Sequence, residues 1–208
     1  MTRKGAVQIR WLALWLGSLC FMAFPSVSQA ASVIEVQVLS PADQKLLNAA
    51  LTGDVELIRT ALAEGARLEA RDLRLDLTPL MLSIYRDHRD ALKVLVAQGA
   101  NLNARNPRGQ TPLMMLASGG QLELVDFLLQ SGAQRDARDE LGNTALLWAT
   151  YWGHREVITR LLEAQAEATA VNDDGNNALH LIALGGIANH TRKLLKKPVY
   201  LPSGRLQA

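Results

Sequence analysis

A period of about 33 residues runs through this sequence and limits its fold more than any other feature. Thr78, Thr111, Thr144 and Asn177 stand one period apart. Leu80, Leu113, Leu146 and Leu179 keep the same register, as do Asp87, Gly120, Gly153 and Gly186. Gly99, Gly132 and Gln165 close successive units. An earlier unit holds Gly53 and Gly65, each slightly more than a period before its counterpart. The extra residue falls between Arg71 and Thr78, where Asp72-Leu73-Arg74-Leu75-Asp76-Leu77 replaces the tighter Asn106-Pro107-Arg108-Gly109-Gln110. A unit this short cannot bury its apolar face alone, so the units must stack.

Each unit reads as two short helices and a turn. In the unit that begins at Thr111, Thr111-Pro112-Leu113 opens a helix. Threonine accepts from an orphan amide, and proline fits the first helical position. Gly119-Gly120 ends it. The spacing predicts a second helix over Leu122 to Gln130, with Leu124, Val125, Leu128 and Leu129 on one face. Gly132 supplies the left-handed residue after it, and the polar stretch from Ala133 to Asn143 turns at Gly142 as a projecting hairpin. Aromatic residues make up only 5% of the chain, which favours helices packed through Leu, Ala and Val over an all-β sandwich.

These residues resemble the ankyrin repeat. Thr78-Pro79-Leu80, Thr111-Pro112-Leu113, Gly153-His154, Gly99-Ala100, Gly132-Ala133, Asn103-Ala104 and Asp136-Ala137 carry the resemblance, which extends over residues 41–197. It implies an all-α solenoid of four to five helix-turn-helix repeats with projecting β-hairpin-like loops, divided at 41–71, 72–105, 106–138, 139–171 and 172–197. Departures mark particular places. The family histidine survives only as His180, with Met81, Met114 and Leu147 at its other positions. Asp87 and Gln165 replace glycines, and a non-glycine residue turned left-handed costs roughly 1 kcal/mol. The first unit has polar Gln44, Lys45 and Asn48, and the last has Arg192, Lys193, Lys196 and Lys197. Both read as caps with a polar outer face.

Residues 1–30 have the parts of a secretory signal peptide. Arg3, Lys4 and Arg10 give a positive start, Trp11 to Phe24 an apolar run, and Ser28-Gln29-Ala30 a small-residue cleavage site before Ala31. The run is short for a spanning helix, so the expectation is cleavage between Ala30 and Ala31 and no membrane attachment afterwards. Residues 31–40 form a short linker and 198–208 a tail. Removing the three leader cations leaves 19 basic against 20 acidic residues, with no bias toward nucleic acid. The single cysteine, Cys20, lies in the leader, so the mature chain has no thiol for disulfides, catalysis or metal binding.

No catalytic set is legible, and no cofactor or metal is expected. The four histidines form no i, i+4 pair. His154 and His180 fall where the family carries histidine, which implies a bond to backbone; His88 and His190 are expected to be exposed. Ser118-Gly119-Gly120 lacks the glycine of a nucleophile elbow. Asp173-Asp174-Gly175-Asn176 lacks the remaining ligands of a calcium loop and reads as a hairpin tip.

The resemblance implies a non-enzymatic module that binds protein through its concave face and hairpin tips. On this chain those places hold Arg71, Arg74, Arg105, Arg108 and Arg138 at the tips, and Tyr85, Arg86, Tyr151 and Trp152 at the ends of first helices. Tyr, Trp and Arg dominate interface energetics. Trp148, inside its helix, is expected in the core. The arginines give way to Val171, Asp173 and Asp174 on the last tip, which points to a partner with an acidic region facing the N-terminal half. The expected setting is the bacterial periplasm and the expected partner an exported protein bound by a monomer. Three readings of that role stay open. One is an accessory protein beside an exported oxidative-stress enzyme such as a catalase, with which small periplasmic ankyrin proteins are linked. The others are an immunity protein capping a secreted toxin, and an envelope scaffold anchored by an uncleaved leader.

Overall fold

The computed structural model describes residues 39–185, and within them the backbone forms nine helices and no strand. Two kinds of helix alternate. The first kind is α1 (Pro41–Thr52), α3 (Pro79–Tyr85), α5 (Pro112–Ser118) and α7 (Ala145–Trp152). Ser40, Thr78, Thr111 and Thr144 begin them, each accepting from the amide three residues on. The second kind is α2 (Val55–Ala63), α4 (Arg89–Ala97), α6 (Leu122–Gln130) and α8 (Arg155–Glu163). A ninth helix, α9 (Ala178–Gly185), opens another pair. There Asn177 replaces the threonine: its Oδ1 accepts from the His180 amide at 3.0 Å, and its own amide donates to His180 Nδ1 at 3.3 Å.

First helices pack on one another in the order α1, α3, α5, α7, α9, while α2 packs on α4 and α6 on α8. Between the rows lies one continuous core that includes Leu46, Ile58, Leu80, Leu92, Leu113, Leu128, Leu146 and Leu161. Burying each such side chain contributes about 1.5–3 kcal/mol. On α6 the predicted face is the packed one: Leu124, Val125 and Leu128 are buried and Leu129 half-buried. Gly120 joins α5 to α6 with φ +69°, where a side chain is strained. Asp87 and Gln165 do without that freedom at φ 57° and 64°.

Stacking also joins polar groups, with a period. The Glu69 carboxylate accepts from the Asn101 amide at 2.8 Å, Asn103 Oδ1 from Gln134 at 2.9 Å, and Asp136 Oδ1 from Glu167 at 2.8 Å. Each acceptor is a side chain of one unit and each donor an amide of the next. Arg67 occupies the same register place in the first unit, with no earlier described unit to serve it. Asp43 does so instead, its Oδ1 accepting from the Arg67 amide at 2.8 Å. Its Oδ2 takes the Ser40 amide at 3.1 Å and the Arg67 guanidinium at 2.8 Å. Asp43 is 1% exposed. Burial works against its charge, but the Arg67 and Ser40 donors outweigh it and hold the carboxyl well below the usual range.

Candidate protein-binding face

The tips are built by one device. The amides of Asp72, Asn106, Asp139 and Asn172 donate to the carbonyls of Leu77, Gln110, Asn143 and Asn176, each at 3.0 Å. The side-chain oxygens of Asp72, Asn106 and Asp139 then accept from the residue two places on: Arg74 at 3.1 Å, Arg108 at 2.9 Å and Leu141 at 3.0 Å. The loops are thus hairpin-like in closure without forming strands among the described residues. Neighbouring tips meet through backbone, Glu140 donating to Arg108 and Asp173 to Leu141.

A second link between tips is made by three arginines. Arg71 Nη2 donates to the Arg105 carbonyl at 2.8 Å. Arg105 Nη1 donates to the Arg138 carbonyl and Arg138 Nη1 to the Val171 carbonyl, both at 2.6 Å. Arg71 and Arg105 also close their own tips, on the carbonyls of Asp76 and Gly109. The ladder stops at Val171, which stands where the next arginine would be. Arg74 and Arg108 are exposed, and their side chains make no hydrogen bond or ion pair among the described residues.

At the far ends of the first helices sit large exposed rings. Tyr85 is 60% exposed, Tyr151 61% and Trp152 58%. The guanidinium of Arg86 lies 5.9 Å from the centre of the Tyr85 ring. Trp148 meets Tyr151 edge-to-face with centroids 6.2 Å apart, and Tyr151 meets Trp152 likewise at 5.3 Å. Trp148 Nε1 donates to Asp139 Oδ2 at 2.8 Å, so the aromatic chain runs from the tip to the end of α7.

Two histidines bond backbone of the preceding unit. His154 Nε2 lies 2.9 Å from the Ser118 carbonyl and His88 Nε2 3.0 Å from the Leu51 carbonyl, each reaching back one unit. Helix pairs, backward histidine bonds and hairpin tips recurring with the period of the sequence match a known pattern: the family model for ankyrin repeats fits residues 46–139, 99–172 and 117–202. The chain belongs to the ankyrin-repeat family. No curated protein is significantly similar to it.

On this ankyrin array the nine partner-facing residues expected from sequence divide. Tyr85, Arg86, Tyr151, Trp152, Arg74 and Arg108 are exposed. Arg105 and Arg138 are exposed as well and Arg71 half-buried, but all three also bond the next tip's backbone and so hold the tips in register. His88 departs from its expected exposure: it is half-buried, because Asp87-His88 takes the place of Gly153-His154 two units earlier in the array. Trp148 is half-buried, packed on the core with its indole nitrogen at the tip. Sequence reading missed exposed apolar residues on the tips, Leu73 and Leu141 foremost. The signal was available, since both lie in otherwise polar loops. A groove of 730 Å³ lined by Leu129, Gln134, Arg135, Arg160 and Ala164 was not foreseen either. Among the described residues no group of three or more His, Cys, Asp or Glu is placed to hold a metal ion. The Ala30–Ala31 cleavage site, the linker to residue 38, His190 and the basic end lie outside the described residues.

Proposed function

We propose that this chain is a non-catalytic binding module of the bacterial periplasm, which holds an exported partner protein through its hairpin tips and the concave face of the array. Ankyrin repeats are generally protein-interaction modules, and the observation that carries the reading here is the exposed Tyr151–Trp152 pair, backed by the half-buried Trp148. Aromatics left this open to water are the residue type that contributes roughly 2 kcal/mol or more when a partner buries them. Their rigid side chains lose little entropy on binding.

The test is a crosslinked pull-down from periplasmic extract with wild type and a folded Tyr151→Ala/Trp152→Ala variant. A protein captured by the first and lost by the second supports the reading. Equal capture moves the binding surface elsewhere, and no specific capture overturns the module. The compartment is tested separately by the N-terminal sequence of the purified protein, expected to begin at Ala31. An immunity role would require affinity on the order of nanomolar or tighter, whereas an accessory to an exported enzyme functions at weaker binding.

A further inference from the structure

Among the exposed residues of each tip, one stands at an equivalent place in every unit. In three units it is the residue whose amide donates to the side chain that opens the turn: Arg74, Arg108 and Leu141. In the next unit the corresponding residue, two places after Asn172, is Asp174. All four are exposed, Leu141 to 61%. The row therefore reads cation, cation, apolar, anion along the array.

Charge on this row is free to act on a partner. The acids beside the two cations form no ion pair with them: Asp72 accepts from its own turn, Asp76 pairs with Arg71, and Asp139 accepts from its turn and the Trp148 indole. Glu140 lies alongside, its amide bonded to the Arg108 carbonyl, but makes no ion pair with Arg108. At the other end Asp173 adds to Asp174, with no cation paired to either among the described residues. The ladder of Arg71, Arg105 and Arg138 ties successive tips together.

We infer that the row Arg74, Arg108, Leu141, Asp174 reads an extended protein segment carrying two acids, an apolar residue and a base in that order. This deepens the protein-binding reading and rests on it. Packed helices lie about 8–10 Å apart, so successive tips do too. An extended chain advances about 3.3 Å per residue, which sets the four recognised positions roughly three residues apart. Charge of opposite sign at the two ends gives the segment one alignment. The inverted alignment sets two acids against Asp173 and Asp174 and a base against Arg74.

The experiment is selection of a random peptide display library on the purified chain, followed by binding of the enriched peptides to variants. The expected consensus carries two acids, an apolar residue and a base at intervals of about three, read in either chain direction. Arg74→Glu/Arg108→Glu is expected to weaken these peptides at least about tenfold, and lysine at the two acidic positions to restore binding to that variant. A consensus without the acid pair, peptides indifferent to the charge reversal, or no enrichment overturns the row. Peptides indifferent to the reversal yet lost with Tyr151→Ala/Trp152→Ala overturn the row and leave the protein-binding module standing.

Discussion

The imidazole of His154 lies against the backbone of Gly120, so close that a Cβ there would stand 2.5 Å from Nδ1. His88 covers Gly53 in the same way, at 2.7 Å. Each ring spans the junction between units: it packs on the glycine that ends one first helix and bonds the carbonyl near it.

Gly120→Ala therefore meets both a left-handed backbone and a collision. We expect a loss of about 2–5 kcal/mol, from roughly 1–2 for the backbone and 1–3 for the clash. Gly132, also left-handed at φ +91°, has nothing within 4 Å of the same position, so Gly132→Ala is expected to cost only about 1–2 kcal/mol. Urea unfolding of both variants checks this. Equal losses would show that the ring does not press on Gly120.

Where the glycine is missing, the ring is missing too. Asp87 carries a Cβ, and the next unit holds Gln121 at the histidine's place, its Oε1 buried without a partner among the described residues. Gln121→His alone is expected to destabilise by about 1–3 kcal/mol, and Asp87→Gly/Gln121→His to recover all of that loss. A double-mutant cycle showing no coupling between the sites would contradict this steric link.

The two classes of tip arginine are separable by stability. Arg105→Ala removes donors to the carbonyls of Gly109 and Arg138 and is expected to cost about 1–2 kcal/mol. Arg108→Ala removes none and should stay within about 0.5 kcal/mol. Thermal unfolding of the pair decides it, and a larger effect at Arg108 would reverse the assignment.

These residues also show where sequence reading stops. Caps, the packed face of α6 and the left-handed Gln165 are local or periodic, so position alone revealed them. The arginine ladder was not legible. Its acceptors are backbone carbonyls a full unit away, which leave no mark on residue identity, and an arginine in a polar loop looks solvated. His88 was misplaced because Asp87 concealed its Gly-His register. The Asp139–Trp148 bond joins a loop to a helix face nine residues on, a geometry set only when the tip folds back.

Asp43 should give the array a measurable acid sensitivity. Its carboxyl sits below the unfolded value of about 3.9, so it adds stability fully present above that value. That stability is lost as the pH falls through the folded value. Asp43→Asn is expected to lower the melting temperature at neutral pH, and its gap from wild type to narrow as the pH drops below about 4. Melting curves from pH 7 downward test it; a constant gap would mean that the charge contributes nothing.

Gln165→Gly is a stabilising change. The left-handed turn at φ 64° costs a side chain about 1–2 kcal/mol, while glycine adds roughly 0.5–1 in unfolded freedom. A net gain of about 0.5–1 kcal/mol is expected in urea unfolding. A loss would show that the Gln165 side chain makes contacts that outweigh its strain.

The arginine ladder has a consequence for how such a chain can lengthen. Every rung leaves the side chain of one unit and ends on a carbonyl of the following one. A carbonyl is present whatever amino acid stands there. A duplicated unit thus arrives with its own fastener and needs no matching change in its new neighbour. Copying is compatible with the array from the first generation, and the receiving residue need not be an arginine, as the Val171 carbonyl shows.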